Sequence, residues 1–158
     1  MTRVDFSALD AAGLNLQAVF RLAVLPGEVA AALDPEGRHR RLILIGHGGR
    51  TLWERVKAAG LATEHPIDEF TRARVAEWLA AQLPGVAHDL VYPGDTPVGL
   101  QALGRLAGWH HESPFRVGVN ADWGSWFAYR AVLLVDADLP ESVPQAGASP
   151  CTTCPSQP

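Results

Sequence analysis

The chain has only two cysteines, and both fall in its last eight residues. Two are too few for a disulfide framework, and such a pair reads more naturally as thiols or metal ligands. No apolar run approaches the roughly 18 residues of a membrane span, which argues against a membrane protein. The first residues, Met1-Thr2-Arg3-Val4-Asp5-Phe6, contain no apolar segment of the secretory kind, so a cytoplasmic protein is expected. Basic excess is missing too. The formal net charge is -4 and the isoelectric point about 5.8, so nucleic acid is not the expected partner. One short cluster, Arg38-His39-Arg40-Arg41, runs against that balance, and it reads as the solvated entrance to an apolar strand. Internal repeats are absent.

What is present is enough apolar material for a core: 47% of 158 residues, the size of one ordinary domain. Helical and extended patterns alternate. A short helix is expected within 5–14 and a strand within 14–25, broken by Pro26-Gly27 and followed by a brief helix over 28–33. Leu42-Ile43-Leu44-Ile45 is a continuous apolar run and predicts a central strand covered on both faces. Helices follow over 51–59 and 71–83, capped by Thr51 and Thr71, with Gly60 and Pro84-Gly85 closing them. A strand is expected at 88–92. Next comes the turn Pro93-Gly94-Asp95-Thr96-Pro97, then a helix capped by Thr96 with Pro97 in its first position. The last strands fall at 115–119 and 127–135. Five of the 12 prolines lie from Pro140 onward. The organisation is therefore one α+β domain over 1–140, a mostly antiparallel sheet with flanking helices, and a Pro-rich linker or cluster segment over 141–158.

Three places could carry chemistry. Gly46-His47-Gly48-Gly49 stands between the central strand and a helix. It reads either as a plain strand-to-helix turn or as a phosphate cradle, although it matches neither the G-x-G-x-x-G nor the Walker pattern. Asp95 follows a strand end, where it could cap a helix or act as a general acid; the second role needs a raised pKa. The stretch 106–129 holds three of the five tryptophans together with His110, His111 and Asn120. Trp123-Gly124-Ser125-Trp126 offers flat apolar walls around a glycine, suited to a large planar ligand such as a corrin or flavin. It equally reads as a Trp-rich core corner. Adjacent histidines diverge on any regular backbone, so His110-His111 is a weak metal signal.

The tail Cys151-Thr152-Thr153-Cys154-Pro155 holds two thiols at a spacing that one metal site can use. Iron–sulfur clusters and tetrahedral zinc take about four ligands, and bacterial cluster segments read C-x2-C-x2-C-x3-C-P. Cys151 and Cys154 are thus read as the opening of a 4Fe-4S segment whose remaining ligands the chain does not hold.

In order along the chain stand Asp95-Thr96-Pro97, Leu103-Gly104-Arg105-Leu106-Ala107-Gly108-Trp109, Asn120, Gly124-Ser125-Trp126-Phe127, Asp138-Leu139-Pro140 and Cys151-Thr152-Thr153-Cys154. This series resembles the cobalamin-binding half of the epoxyqueuosine reductases, and short bacterial ferredoxin-like proteins. The likeness runs from roughly Asp95 to Cys154. It implies a nitroreductase-like or cobalamin-chaperone-like fold, of the kind also shared by reductive dehalogenases. Carried over, Asp95 is the acid that protonates substrate. Trp109, His110, Asn120, Trp123, Gly124, Ser125 and Trp126 line a site for cobalamin, or for FMN, and Cys151 and Cys154 are the first two cluster ligands. A homodimer is the common state of such folds. One departure is His110-His111-Glu112, where the family has a Gly-Lys-Asn/His type segment. The expected function is the front, corrinoid- or flavin-binding domain of an iron–sulfur redox protein, inactive without its cluster. The alternatives are a corrinoid chaperone and an interaction domain without cofactor.

Overall fold

Leu42, Ile43, Leu44 and Ile45 have no solvent exposure, and the molecule is layered around them. They belong to β2 (Arg41–Gly48), which lies between β1 (Leu16–Arg21) and β6 (Phe127–Val135). β3 (His88–Tyr92) completes a four-stranded sheet in the order β1-β2-β6-β3, antiparallel throughout. This computed structural model describes residues 2–113, 118–144 and 149–152.

Strand residues alternate between the two faces, and each face carries its own core. Val19, Ile43, Ile45, Leu133 and Val135 pack under three helices: α1 (Ser7–Ala11), α3 (Thr51–Ala59) and α4 (Pro66–Gln82), which contribute Leu9, Leu52 and Trp78. Phe20, Leu42, Leu44, Val132 and Leu134 pack on the other face against Leu33 of α2 (Gly27–Leu33), Leu103 of α5 (Leu100–Leu106) and Trp109. The expected α+β class, with an antiparallel sheet and flanking helices, is the observed one. A small hairpin of β4 (His111–Glu112) and β5 (Gly118–Val119) stands outside the main sheet. The strand expected over 115–119 is seen at its last two residues, and 115–117 lie outside the described residues.

Two helix starts differ from the sequence expectation. α4 begins at Pro66, five residues before Thr71, because proline suits the first helical turn and Asp68 and Glu69 favour its positive end. Thr71 does not cap; it is fully buried and its hydroxyl has no hydrogen-bond partner. α5 begins at Leu100 instead of following Thr96. Gly99 (φ -77°, ψ 73°) forms an inverse γ-turn in which the Leu100 N–H donates to the Val98 carbonyl at 2.9 Å, so helical geometry cannot start earlier. Thr51 is the first residue of α3 and makes no capping bond, whereas Gly60 closes that helix at φ 65° as expected.

Glu141 and Ser142 lie against β1. The Ser142 N–H donates to the Val19 carbonyl at 2.9 Å, and the Val19 N–H donates to Ser142 Oγ at 2.8 Å. Arg21 Nε bonds Glu141 at 2.6 Å. This segment covers the outer edge of β1, whose backbone groups would otherwise be open to pairing. No helix among the described residues is long and apolar enough to cross a membrane.

Candidate functional site

The aromatic stretch of the sequence gathers at one end of the sheet, and a bulge arranges it. Ile45 pairs with Ala131 and Gly46 with Tyr129, so Arg130 is an extra residue in β6. The extra residue shifts the alternation and brings Tyr129 to the face of Trp109. The two rings stack at 6.4 Å between centroids, 15° from parallel. Glycine is required where they meet the backbone. A Cβ on Gly46 would stand 3.2 Å from the Trp109 ring and 2.7 Å from the Ala128 carbonyl, and one on Gly104 of α5 would collide with the Tyr129 hydroxyl.

His110 is buried and shares a 3.1 Å hydrogen bond through Nδ1 with the Tyr129 hydroxyl. Its ring stacks on Tyr129 and meets Phe127 edge-on, and β5 closes over it so tightly that a side chain at Gly118 would strike the imidazole. Burial, with Arg105 nearby, holds the His110 pKa below its ordinary value. Burial also pushes the Tyr129 pKa up to about 12. Both groups are therefore neutral near pH 7, a polar pair inside an aromatic cluster.

Asn120 has no exposure and holds the turn that follows. Its Nδ2 donates to the Trp109 carbonyl at 3.2 Å, while Oδ1 accepts from the Asp122 and Trp123 N–H groups at 2.9 and 3.1 Å. Backbone bonds of 2.7 and 2.8 Å tie Asn120 to Gly124, which sits at φ 59°. The turn sets Trp123, 39% exposed, over the end of β2 and leaves Trp126, 68% exposed, and Ser125 facing solvent. The indole of Trp123 occupies the space above Gly48 and Gly49: a Cβ on Gly49 would come within 2.8 Å of it, and one on Gly48 closer still. The glycines of Gly46-His47-Gly48-Gly49 thus admit tryptophan rings, and the strand continues through Gly48 instead of ending in a turn. Gly48 is further held by Asn15, which bonds its N–H and its carbonyl at 2.8 and 3.1 Å.

The structure joins Trp109, His110 and Asn120 in a buried group and displays Trp123, Ser125 and Trp126 beside it. Asp95 is exposed on the loop joining β3 to α5. Cys151 is half-buried in a single 3-10 turn, Pro150–Thr152, where its N–H bonds Ser149 Oγ at 3.2 Å. Cys154 lies outside the described residues. Among the described residues no group of three or more His, Cys, Asp or Glu could hold a metal ion, so His110-His111 forms no such centre.

Trp109 also lines a 330 Å³ cavity with Phe20, Ala107, Val143 and Pro144. Such a volume takes part of a corrinoid or flavin, not the whole. A larger cavity, about 850 Å³, is elsewhere: a groove between α4 and β3 lined by Val75, Leu79, Leu83 and Leu90 together with Arg38 and Arg72. None of the expected cofactor residues lines it.

One pair was not legible in the sequence. Arg130, the bulge residue, donates from Nε to His47 Nδ1 at 3.0 Å. Burial, reinforced by the adjacent guanidinium, lowers the His47 pKa to about 4. An Arg and a His 83 positions apart carry no sequence signal; only the register of β2 on β6 joins them.

No protein-family profile matches the chain, and no curated protein matches its sequence. Solved structures do match in fold. A reductive dehalogenase associated with B12-dependent dehalogenation superposes with a TM-score of 0.57 at 16% identity, over 96% of this chain and 21% of its own. The epoxyqueuosine reductase of Bacillus subtilis gives 0.57 at 10% identity, over 94% and 48%. An epoxyqueuosine reductase solved with a tRNA stem loop gives 0.52 at 11%, over 94% and 48%. The chain therefore has the fold found in these reductases, and the likeness extends over nearly all of it, including the N-terminal half where no sequence resemblance was seen. It spans about half the length of the epoxyqueuosine reductases and about a fifth of the dehalogenase.

Proposed function

We propose that this chain is the corrinoid-binding front domain of an iron–sulfur redox protein. The observation that carries the reading is the turn pinned by Asn120, which presents two exposed indoles, Trp123 and Trp126, on a domain with the fold of B12-associated reductases. Exposed aromatic surface held on a rigid turn is what a large planar ligand needs, since little ordering is left to oppose binding. Trp123, Gly124, Ser125 and Trp126 would hold one side of the corrinoid. Trp109 and the neutral His110–Tyr129 pair would support that wall from behind. A bound corrinoid would supply redox chemistry at cobalt.

Asp95, exposed beside this end of the sheet, is the candidate proton donor to substrate. Cys151 and Cys154 would contribute two thiolates to a 4Fe-4S cluster, a group that takes four ligands. A site that brings electrons to a bound cofactor and a proton to substrate is that of a reductase.

The test is an absorbance titration of the purified chain with hydroxocobalamin, with FMN in parallel. The reading expects a saturable corrinoid spectral change, weakened about tenfold in Trp123→Ala, the loss of one aromatic contact of about 1.4 kcal/mol. Asp95→Asn should bind unchanged. A response to FMN alone would move the reading to a flavin protein, and silence with both ligands would leave an interaction domain.

A further inference from the structure

We infer that Arg130, on the β6 bulge, is the anchor of a second site that binds an oxyanion, a phosphate or carboxylate group, on the α3/α4 face of the sheet. This inference does not depend on the corrinoid reading.

Six of the twelve arginines have carboxylate partners: Arg21 with Glu141, Arg38 with Glu36, Arg40 with Asp136, Arg41 with Asp138, Arg50 with Glu54 and Arg74 with Glu77. These pairs are mostly exposed, where a guanidinium needs a partner least. Arg130 is half-buried and, among the described residues, has no carboxylate within ion-pair distance. The residues outside that set include no Asp or Glu. Asp68, on the first turn of α4, and the Tyr92 hydroxyl influence it only through space. A partly desolvated guanidinium with no carboxylate in direct contact is costly, so a fold that keeps one there has a use for it.

The pairing with His47 defines what Arg130 can accept. His47 follows Ile43 and Ile45 in the alternation of β2, so both side chains stand on the α3/α4 face, away from Trp109. Nε of Arg130 is taken by His47 Nδ1 at 3.0 Å. That bond fixes the guanidinium plane and leaves its Nη1/Nη2 edge, the fork that meets two oxygens of a carboxylate or phosphate at once. An acceptor at Nδ1 also requires neutral imidazole, so His47 adds no counter-charge and is itself an Nε2–H donor. A neutral orienting partner behind a cation leaves the full positive charge for a ligand, which a carboxylate partner would have cancelled.

The test follows the backbone amide resonance of His47, the partner of Arg130, by NMR while inorganic phosphate, and separately acetate, is added at constant ionic strength. A saturable shift of that resonance is expected in the millimolar range, absent in Arg130→Gln and retained in Arg40→Gln, whose arginine is already paired. Saturation by phosphate alone would assign the site to phosphoryl groups, and saturation by both would assign it to oxyanions generally. Linear, non-saturating shifts with both anions, or saturation that survives in Arg130→Gln, would overturn the proposal. The wild-type titration decides the matter even if Arg130→Gln does not fold.

Discussion

Asn120 shows how one residue can hold a whole turn in place from a buried position. Both polar atoms of its side chain are engaged, and they connect the Trp109 carbonyl to the turn that carries Trp123. Asn120→Ala removes three bonds and strands buried backbone groups, so a loss of roughly 2–4 kcal/mol is expected in urea unfolding. The same variant should bring the Trp123 emission toward that of free indole. His47 makes a separate prediction, in pH. Its folded pKa of about 4 lies below the ordinary 6.5 because of burial first and Arg130 second. Between those values the unfolded chain binds the extra proton, so stability falls as pH drops from about 6.5 towards 4 and levels off below. The full displacement is worth roughly 3 kcal/mol, and partial exposure reduces that to about 1–2 kcal/mol. In His47→Gln, denaturation curves at pH 7 and pH 4.5 should converge by that amount relative to the native chain.

At the level of elements, the legible parts were those with an unambiguous local pattern. β2 and the second half of β6 are continuous apolar runs, and a strand buried on both faces leaves no other reading. The bulge was not legible. Ala131, Leu133 and Val135 share one face, so strict alternation would put Tyr129 with them; the extra residue Arg130 turns Tyr129 to the Trp109 side instead. Nothing in the string 127–135 marks that slip, because its cause is the partner strand. Start signals misled in a similar way. Thr71 and Thr96 are competent caps, but Pro66 and the γ-turn at Gly99 decide where helices begin. Two elements can be tested. Gly13 sits at φ 92° where a Cβ would collide with the Leu52 backbone, so Gly13→Ala should force α3 from α1 and cost more than the roughly 1 kcal/mol of backbone strain alone. Ser142→Pro removes both bonds to Val19, and hydrogen exchange at the Val19 amide should accelerate by one to two orders of magnitude, about 1–3 kcal/mol of lost protection.

For the whole molecule, the resemblance in the sequence runs from roughly Asp95 to Cys154, whereas the fold found in a reductive dehalogenase and an epoxyqueuosine reductase extends over nearly all of the chain. A corrinoid that binds only the native state must raise its stability. At free ligand 100 times the dissociation constant the gain is about 2.7 kcal/mol, and a rise in melting temperature of several degrees is expected by calorimetry. On the proposed reading, an exposed carboxyl at Asp95 and an aromatic wall divided between buried Trp109 and exposed Trp126 would put the cofactor surface on the outside of this domain.

Composition and local pattern determined the class of this protein: an apolar core in a single domain, interleaved helices and strands, an aromatic segment and a pair of cysteines. Those properties depend on residues near one another in sequence. The tertiary structure alone decided which faces meet. It put Trp123 over the glycines of β2, made Asn120 the pin of the tryptophan turn, laid Glu141 and Ser142 along β1, and joined Arg130 to a neutral His47. Each of these contacts spans strands or segments remote in sequence, except the local Asn120 turn, and a one-residue change of register would undo the Arg130–His47 pairing while leaving every local pattern as it is.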